Sequence, residues 1–327
     1  MTPSPLKVAI IGAAGIGKNH ARWFHRHGCH VCAFAASSPQ SIEPTHRAME
    51  SDFGFNGRGY ADVPMMLREE QPDAVCIASP PPLHYEHALQ SLAAGAHVLC
   101  EKPLVYDATK APSTLIEQAR HLVDQAAARG LLLGTQMQYA VGVGELLELA
   151  DLRAEEVHDF GMVMDTKNLK HGREHEAIWI DLSPHPLSVL QKIADDRELT
   201  TESIECRVGA GETEAKFSLS AAFDPLKTSL EAHITVRCNP DIAVPVRYFT
   251  FNGRRIDYAG RKDAQGEFRT YLTTEDNRTV ELPDLVDTLV GNFAAACRGE
   301  ETLVVTGAEG AQNVEWQLRI LQAGQRE

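Results

Sequence analysis

The sequence predicts an α/β fold in two parts: a doubly wound parallel sheet, followed by an α+β domain on a largely antiparallel open sheet. Short apolar strands alternate with helices up to about residue 136, which is typical of a parallel sheet covered on both faces. A glycine-rich turn, Gly12–Gly17, follows the first strand. Beyond residue 137 several strands follow one another directly, as in antiparallel sheets. We therefore expect a first domain over residues 1–136 and a second over residues 137–327.

The elements of the first domain follow from hydrophobic periodicity and from residues that start or stop helices. Apolar runs predict strands at Lys7–Ile11, His30–Ala36, Asp73–Ser79, Ala96–Cys100 and Leu131–Gln136. Helical patterns lie between them, at Gly17–His27, Gln40–Phe53, Val63–Glu70, Leu83–Ala94 and Pro112–Arg129. Gly28, Gly95 and Gly130 stand where glycine often ends a helix.

The second domain has a different residue pattern, in which polar and apolar residues alternate. Strands are predicted at Val157–Thr166, Ile204–Gly209, Ala215–Phe223, Ser229–Cys238, Val246–Phe251, Arg254–Ala259 and Arg269–Thr274. Asn252-Gly253 is typical of a hairpin turn. Helices are predicted near residues 184–195, at Leu285–Arg298 and at Glu309–Ala323.

Charge and composition exclude several classes of protein. The 327 residues carry a formal net charge of −14, which repels nucleic acids and anionic membrane surfaces. No apolar run reaches the ~18 residues of a membrane-spanning helix, and the charged helix after the first strand does not fit a signal peptide. Seven scattered cysteines, an odd number, indicate reduced thiols. We expect a cytoplasmic protein that binds neither nucleic acid nor membranes.

The turn Gly12–Gly17 matches a dinucleotide-binding fingerprint placed between a strand and a helix. Gly12 permits a tight turn, Gly17 lets the helix pack on its strand, and the helix N-terminus offers N–H groups to a pyrophosphate. A methyl group, that of Ala14, replaces the middle glycine. We expect the whole loop to bind cofactor through Gly12, Ala14, Gly15, Ile16 and Gly17; the alternative is a structural turn.

The end of the second strand bears on the choice between NAD and NADP. An acidic residue commonly binds the ribose hydroxyls there, but the sequence continues through Ser37 and Ser38 with no acid before Glu43. The absence of a carboxylate removes repulsion of a 2′-phosphate, which both serines and Arg47 could bind. The sequence therefore favours NADP slightly over NAD.

The segment Ser79–Leu104, SPPPLHYEHALQSLAAGAHVLCEKPL, resembles the Gfo/Idh/MocA oxidoreductases, which include glucose–fructose oxidoreductase and inositol dehydrogenase. The shared features are Pro80, His84 and Glu101-Lys102-Pro103, and His20 fits the histidine after the glycine loop. The resemblance is dense over residues 6–139. Farther on it depends on strand order, on Asp181 with His185, and on Val305–Gly310.

The resemblance implies a Rossmann domain and an NAD(P)-dependent oxidoreductase acting on a sugar, polyol or related hydroxylated small molecule. Further cofactor contacts are implied at Ser79, Pro80, His84, Glu101 and Lys102. Many members carry a second acid where Ser188 stands and an arginine where Gln138 stands, so the substrate stays open. The alternative function is a non-catalytic cofactor or sugar sensor on the same fold.

Lys102 lies where a strand of the parallel sheet ends, at the edge where open α/β folds bind ligands. In the family this lysine hydrogen-bonds the reacting hydroxyl and helps to lower its pKa. The adjacent Glu101 would orient Lys102 or lie near the nicotinamide ribose, although a surface carboxylate fits the sequence equally well.

Asp181 and His185 are the second pair of candidate catalytic residues. Ser183 and Pro184 suit the cap and first position of a helix, so Asp181 is expected just ahead of that helix. His185 would lie in its first turn, where the helix dipole keeps the imidazole neutral, as a general base requires. The resemblance makes His185 the proton acceptor and Asp181 its support. The alternative is a capping aspartate and a buried, satisfied histidine.

Three further patterns carry expectations. The loop Lys167–Glu176 is basic and histidine-rich, so it is either a solvated loop or a rim selecting a polyhydroxy or anionic substrate. Cys29 and Cys32 have no second ligand pair, so no metal site is predicted. In Ser229–Cys238 one face is apolar and the other polar. We expect the open face of residues 204–274 to form a homodimer or homotetramer.

Overall fold

The chain divides into two compact units, which differ from the expected domains at one segment. This computed structural model describes residues 4–167, 175–194, 197–209, 211–221 and 229–326. Met1–Met137 and Val286–Val314 form the first unit, and Gln138–Leu285 and Glu315–Glu327 form the second. The expected boundary after residue 136 lies within one residue of this division. Val286–Val314, expected in the second domain, lies in the first unit.

Two contacts explain the placement of Val286–Val314. Phe293 packs edge-to-face on Phe24 with ring centroids 6.2 Å apart, and Thr306 forms an antiparallel bridge with Gly134. Phe24 and Phe293 are both almost fully buried. This segment therefore completes the core of the first unit although it is remote in sequence.

The first unit confirms the predicted parallel sheet. Its described strands are β1 (Lys7–Ile11), β2 (His30–Ala35), β3 (Arg58–Tyr60), β4 (Ala74–Ile77), β5 (His97–Glu101) and β6 (Leu133–Gln136). The helices between them are α1 (Gly17–Arg26), α2 (Ile42–Phe53), α3 (Val63–Glu70), α4 (His84–Ala93) and α5 (Pro112–Ala127). The six described strands are parallel in the order 3-2-1-4-5-6. Strand β3 escaped prediction because it is only three residues long.

The strand order reverses between β1 and β4, which makes this junction the topological switch point of the sheet. The interior of β1 is apolar and inaccessible to solvent, as a central parallel strand requires. In open α/β sheets, ligands bind outside the carboxyl ends of the strands at such a point. The turn after β1 and the segment after β4 therefore lie where a ligand is expected.

The second unit confirms the predicted, mainly antiparallel sheet. Its described strands are β7 (Asp159–Thr166), β8 (Arg197–Gly209), β9 (Glu212–Ala221), β10 (Leu230–Cys238), β11 (Val246–Phe251), β12 (Arg254–Lys262), β13 (Phe268–Thr274), β14 (Thr279–Pro283) and β15 (Gln325–Arg326). Their order is 14-13-12-11-7-10-9-8-15. Only the β7–β10 and β8–β15 pairs of these described strands are parallel.

The remaining helices are α6 (Val143–Leu149), α7 (His175–Leu182), α8 (Pro184–Ala194), α9 (Leu285–Cys297) and α10 (Gly307–Ala323). Helix α7 was not predicted, because its sequence follows a strongly polar stretch. In the parts of the chain that the structure describes, no helix combines the length and apolar character needed to cross a bilayer.

Candidate functional site

The loop after β1 requires glycine at two positions for steric reasons. Gly12 has φ +90°, and a Cβ built there would lie 2.6 Å from the carbonyl oxygen of Ala78 and from the amide nitrogen of Ser79. A Cβ on Gly17 would lie 2.5 Å from the carbonyl oxygen of Gly12. The first and third glycines of the fingerprint thus let the loop pack against the end of β4 and start α1 closely behind it.

The N-terminus of α1 is open to an anion. Ile16 is the cap residue and supplies no side-chain hydrogen bond, and the first turn contains no acidic residue. Ala14 and Gly15 are exposed, and a Cβ on Gly15 would meet no atom within 4 Å. Free N–H groups and the helix dipole favour a phosphate at such a terminus.

A cavity of about 520 Å³ adjoins this loop and has room for part of a dinucleotide. It is lined by Ala13, Ala14, Lys18, Ser38, Gln40, Ser41, Pro44, Thr45 and Ala48. The lining is mostly apolar but includes Lys18 and the hydroxyls of Ser38 and Ser41. Such a lining, together with its position at the glycine loop, fits the adenosine half of a nicotinamide dinucleotide. The residues present therefore fit the cofactor that the sequence implies.

The candidate phosphate-binding residues after β2 are placed differently. Ser38 lines the cavity, whereas Ser37 is exposed and is not part of the lining. Arg47 is also exposed, and its Nε lies 3.3 Å from the carboxylate of Glu43 in the same helix. Lys18, to which the sequence analysis gave no role, is the cation in the lining. Its position directly after Gly17 was the signal that could have identified it.

Glu101 and His20 form a buried pair at the end of β5. The Nε2 of His20 donates to Oε1 of Glu101 at 2.7 Å, and Oε2 accepts the backbone N–H of Lys102 at 3.3 Å. Burial alone raises the pKa of Glu101, but the hydrogen bond and charge of His20 and the charge of Lys102 lower it below its ordinary value. The Glu101 carboxylate therefore fixes the backbone at the start of the segment that carries Lys102.

His84 is fully buried and braces two segments at the carboxyl edge of the sheet. Its Nδ1 lies 2.8 Å from the carbonyl oxygen of Pro103, and its Nε2 lies 2.7 Å from that of Ser79. Burial lowers the pKa of His84, while both carbonyls act against that change. Because each ring nitrogen of His84 lies within hydrogen-bond distance of a backbone carbonyl oxygen, His84 positions the segments after β4 and β5. Pro80, in the same turn, is exposed.

Asp181 and His185 lie on two consecutive helices. Asp181 is in the last turn of α7, and His185 is the second residue of α8. Asp181 lies just ahead of α8, as expected, but it belongs to a separate, unpredicted helix that contains the fully buried Ile178 and Trp179 and continues to Leu182. The expectation that His185 lies in a first helical turn is confirmed.

Gln317 fixes the corner between α7 and α8. Its side-chain amide donates to the carbonyl oxygen of Ile180 at 3.1 Å and to Oγ of Ser183 at 2.8 Å. The indole N–H of Trp179 in turn donates to the carbonyl oxygen of Gln317 at 3.1 Å. These buried hydrogen bonds hold the helix ends that carry Asp181 and His185.

An aromatic cluster surrounds His185 in the second unit. The Tyr139 ring packs edge-on against His185 and against Tyr258, each with ring centroids 4.9 Å apart. The guanidinium of Arg247 lies 5.7 Å from the centroid of the Tyr258 ring, and the nearby Tyr139 raises the pKa of Arg247 electrostatically. Neither Arg247 nor Tyr258 was assigned a role from the sequence.

Two other regions were considered from the sequence: the basic loop Lys167–Glu176 and the cysteine pair Cys29 and Cys32. The basic loop Lys167–Glu176 lies largely outside the described residues, which omit 168–174. Burial raises the pKa of the Cys29 thiol to about 11 and that of Cys32 to about 12, whereas a reactive cysteine needs a thiolate. Across the described residues, no group of three or more His, Cys, Asp or Glu side chains could hold a metal ion.

Known proteins resemble this chain both in sequence and in fold. Residues 6–137 match a family model described as an oxidoreductase family with an NAD-binding Rossmann fold. D-glucoside 3-dehydrogenase from Escherichia coli (strain K12) is 38% identical over 135 residues, which is 41% of this chain and 35% of that protein. Inositol 2-dehydrogenase 3 from Saccharopolyspora erythraea is 29% identical over 217 residues, 62% of this chain and 57% of that protein.

These matches span about a third and just over half of the two relatives. The solved structure of UDP-N-acetylglucosamine 3-dehydrogenase from Acidithiobacillus ferrooxidans superposes with a TM-score of 0.75, covering 98% of both chains at 17% identity. At that identity the likeness is one of fold. Residues 6–137, less than half of the chain, match the Gfo/Idh/MocA oxidoreductase family model, as the Glu-Lys-Pro segment predicted.

Proposed function

We propose that the protein is an NAD(P)-dependent oxidoreductase that acts on a CH–OH group of a sugar, polyol or related hydroxylated small molecule. The observation that carries this proposal is the open glycine loop with its adjoining cavity of about 520 Å³ at the switch point of a Rossmann sheet. The enzyme names of both curated relatives favour an enzyme over a non-catalytic sensor.

Oxidation of a carbinol removes a hydride from carbon and a proton from oxygen. A nicotinamide dinucleotide, when bound, supplies the hydride acceptor. We assign Lys102 to hydrogen-bond the hydroxyl and to favour its alkoxide. His185 is the proposed proton acceptor and Asp181 its support. Glu101, His20 and His84 position the backbone around Lys102, and the reverse reduction uses the same groups.

The direct test is to measure NADPH and NADH formation by absorbance, with purified protein and a panel of polyols, glycosides and sugar acids. Cofactor binding is titrated separately by fluorescence. Turnover of at least one compound supports the enzyme. Tight dinucleotide binding with no turnover of any compound would instead support the sensor.

We infer that the cofactor preferred is NADP. The cavity beside the glycine loop contains the ammonium-bearing Lys18 and the hydroxyl-bearing Ser38 and Ser41, with no carboxylate in its lining. A 2′-phosphate needs such a cation and hydroxyl donors, and a carboxylate would repel it. The dinucleotide fold by itself accepts either cofactor.

Lys18→Met is expected to weaken NADPH binding about tenfold, because it removes one charge-assisted hydrogen bond, and to leave NADH binding nearly unchanged. Isothermal titration of both cofactors measures the two constants. Lys110→Met is the matched control, since Lys110 lies outside the cavity lining and pairs with Asp107. A wild-type preference for NADH, or equal losses for both cofactors in Lys18→Met, contradicts the assignment.

We also propose a homodimer or homotetramer that uses the open face of the second sheet. On β10, Leu230, Ala232 and Ile234 are fully buried, whereas Glu231 and His233 on the other face are exposed. A stable self-association buries more than ~1,000 Å². Light scattering at micromolar concentration is expected to give a multiple of 35.9 kDa, and a monomer would contradict the proposal.

A cytoplasmic location is also proposed. What supports it is that the seven cysteines are free and six of them are buried, as in proteins of a reducing compartment.

A further inference from the structure

Arg247 places a positive charge on the apolar face of the second sheet. Side chains alternate along a strand, so Arg247 shares its face of β11 with Phe249 and Phe251, which are both 0% exposed. Its register partner on β7 is Met164, which is also buried. An arginine at this position interrupts a face that otherwise forms the core.

The charge of Asp284 acts on Tyr258, but no ion pair joins the Arg247 guanidinium to a carboxylate of the described residues. The Nε of Arg247 is buried and hydrogen-bonds none of them. Asp165 is close in register, but it pairs with Val246 and so lies on the opposite face. The Tyr139 oxygen and then that of Tyr258 raise the pKa of Arg247 despite burial. A buried charge without a partner is costly unless a ligand supplies the opposite charge.

Two phenol hydroxyls lie beside the guanidinium. The ring of Tyr258 lies below the Arg247 guanidinium, and Tyr139, which is 2% exposed, packs edge-on against that ring. Burial is the largest cause that raises the pKa of both tyrosines. Both phenols therefore stay protonated at neutral pH and can donate a hydrogen bond, although the Tyr258 hydroxyl also lies 3.3 Å from Oγ1 of Thr270.

We propose that Arg247, together with Tyr139 and Tyr258, binds a carboxylate group of the substrate, which is therefore a sugar acid or a related polyhydroxy acid. A single guanidinium matches one carboxylate in charge and planar geometry. A phosphate ester carries a larger charge, and the cluster has no second cation among the described residues. This inference rests on the proposed oxidoreductase function and names its substrate class.

The same cluster relates the carboxylate to the reacting carbon. The ring of Tyr139 packs against His185 and against the ring of Tyr258, over which the Arg247 guanidinium lies. One tyrosine ring thus separates the proposed proton acceptor from the proposed carboxylate site. Anchoring the acid group there would orient the remaining hydroxyls toward His185, which is how a remote binding contact assists a reaction.

The test compares acids with neutral amides of nearly the same shape. D-glucuronate and D-glucuronamide, D-galacturonate and D-galacturonamide, and D-gluconate and D-gluconamide are titrated calorimetrically into the NADPH-bound protein. Glucose 6-phosphate is added as the phosphate probe. We expect at least one acid to bind about tenfold or more tightly than its amide, as expected for charged hydrogen bonds, and more tightly than the phosphate.

Arg247→Met is expected to abolish the preference for the acid, and Arg247→Lys to restore part of it. Arg153→Met is the matched control, because Arg153 is exposed and pairs with Glu155 on the surface of the same unit. Thermal unfolding of each variant checks that it is folded. The acid–amide comparison on the wild-type protein needs no variant, so it stays decisive if Arg247→Met does not fold.

Equal binding of every acid and its amide would overturn the carboxylate site, as would a preference for glucose 6-phosphate. Retention of the acid preference in a folded Arg247→Met protein would also overturn it. Turnover of neutral polyols in the same assays would keep the proposed oxidoreductase function while the carboxylate site fails. Selective binding of an acid without turnover of any compound would keep the carboxylate site while the proposed oxidoreductase function fails.

Discussion

Lys102→Met is expected to lower kcat about a hundredfold or more while the dissociation constant for NADPH stays nearly unchanged. Such a loss corresponds to about 2.7 kcal/mol of transition-state stabilisation, which is ordinary for removing a positioned proton-handling group. Methionine retains the length of the side chain but cannot hydrogen-bond a hydroxyl or stabilise an alkoxide. Steady-state kinetics on a substrate identified by the panel, with cofactor titration, separates these two effects.

Lys110→Met is the matched control for the loss of a lysine. Lys110 lies farther along the same connection after β5 and pairs with Asp107 at 3.6 Å, so its replacement should leave kcat unchanged. Wild-type turnover in Lys102→Met would remove Lys102 from the mechanism. A parallel loss of NADPH affinity would show that Lys102 serves the cofactor more than the substrate hydroxyl.

Two glycines of the loop, the packed Gly12 and the exposed Gly15, should separate folding from binding. Gly12→Ala is expected to lower Tm by about 5 °C or more, because a positive φ is strained for alanine and its Cβ would lie 2.6 Å from backbone atoms. Gly15→Ala should leave Tm nearly unchanged, since its Cβ would meet nothing within 4 Å. It should nevertheless weaken NADPH binding about tenfold, because the methyl group enters the space proposed for the pyrophosphate.

Differential scanning fluorimetry and calorimetric titration measure both effects. Gly144→Ala in α6 is the control, because its Cβ also meets nothing within 4 Å and it lies outside the loop. If Gly15→Ala bound NADPH as the wild type does, the pyrophosphate would have to lie elsewhere. An unchanged Tm in Gly12→Ala would contradict the close packing of the loop against the end of β4.

The sequence predicted the first sheet well because its signals are local. A buried strand, a glycine turn and an amphipathic helix each occupy consecutive residues, so β1 and α1 were placed almost to the residue. Contacts between distant segments left no such signal. The pair of His20 with Glu101 joins residues 81 positions apart, and only the family resemblance drew attention to either of them.

The second unit shows the same limit more strongly. Arg247 stands at an inward position of a strand whose bounds, Val246–Phe251, were predicted correctly. Its alternation with Phe249 was therefore visible in the sequence. However, its proximity to Tyr139 depends on how β11 and the turn before α6 pack in three dimensions. Helix α7 was missed for a related reason, because its polar start concealed its apolar end.

The return of Val286–Val314 to the first unit has a consequence for biosynthesis. A ribosome releases the N-terminal 137 residues long before it makes the segment that buries Phe24 against Phe293. The apolar surface that Val286–Val314 covers therefore stays exposed on the nascent Rossmann sheet until some 150 further residues have been synthesised. Expression of residues 1–137 alone should yield an aggregation-prone fragment, and domain transplantation must carry both segments.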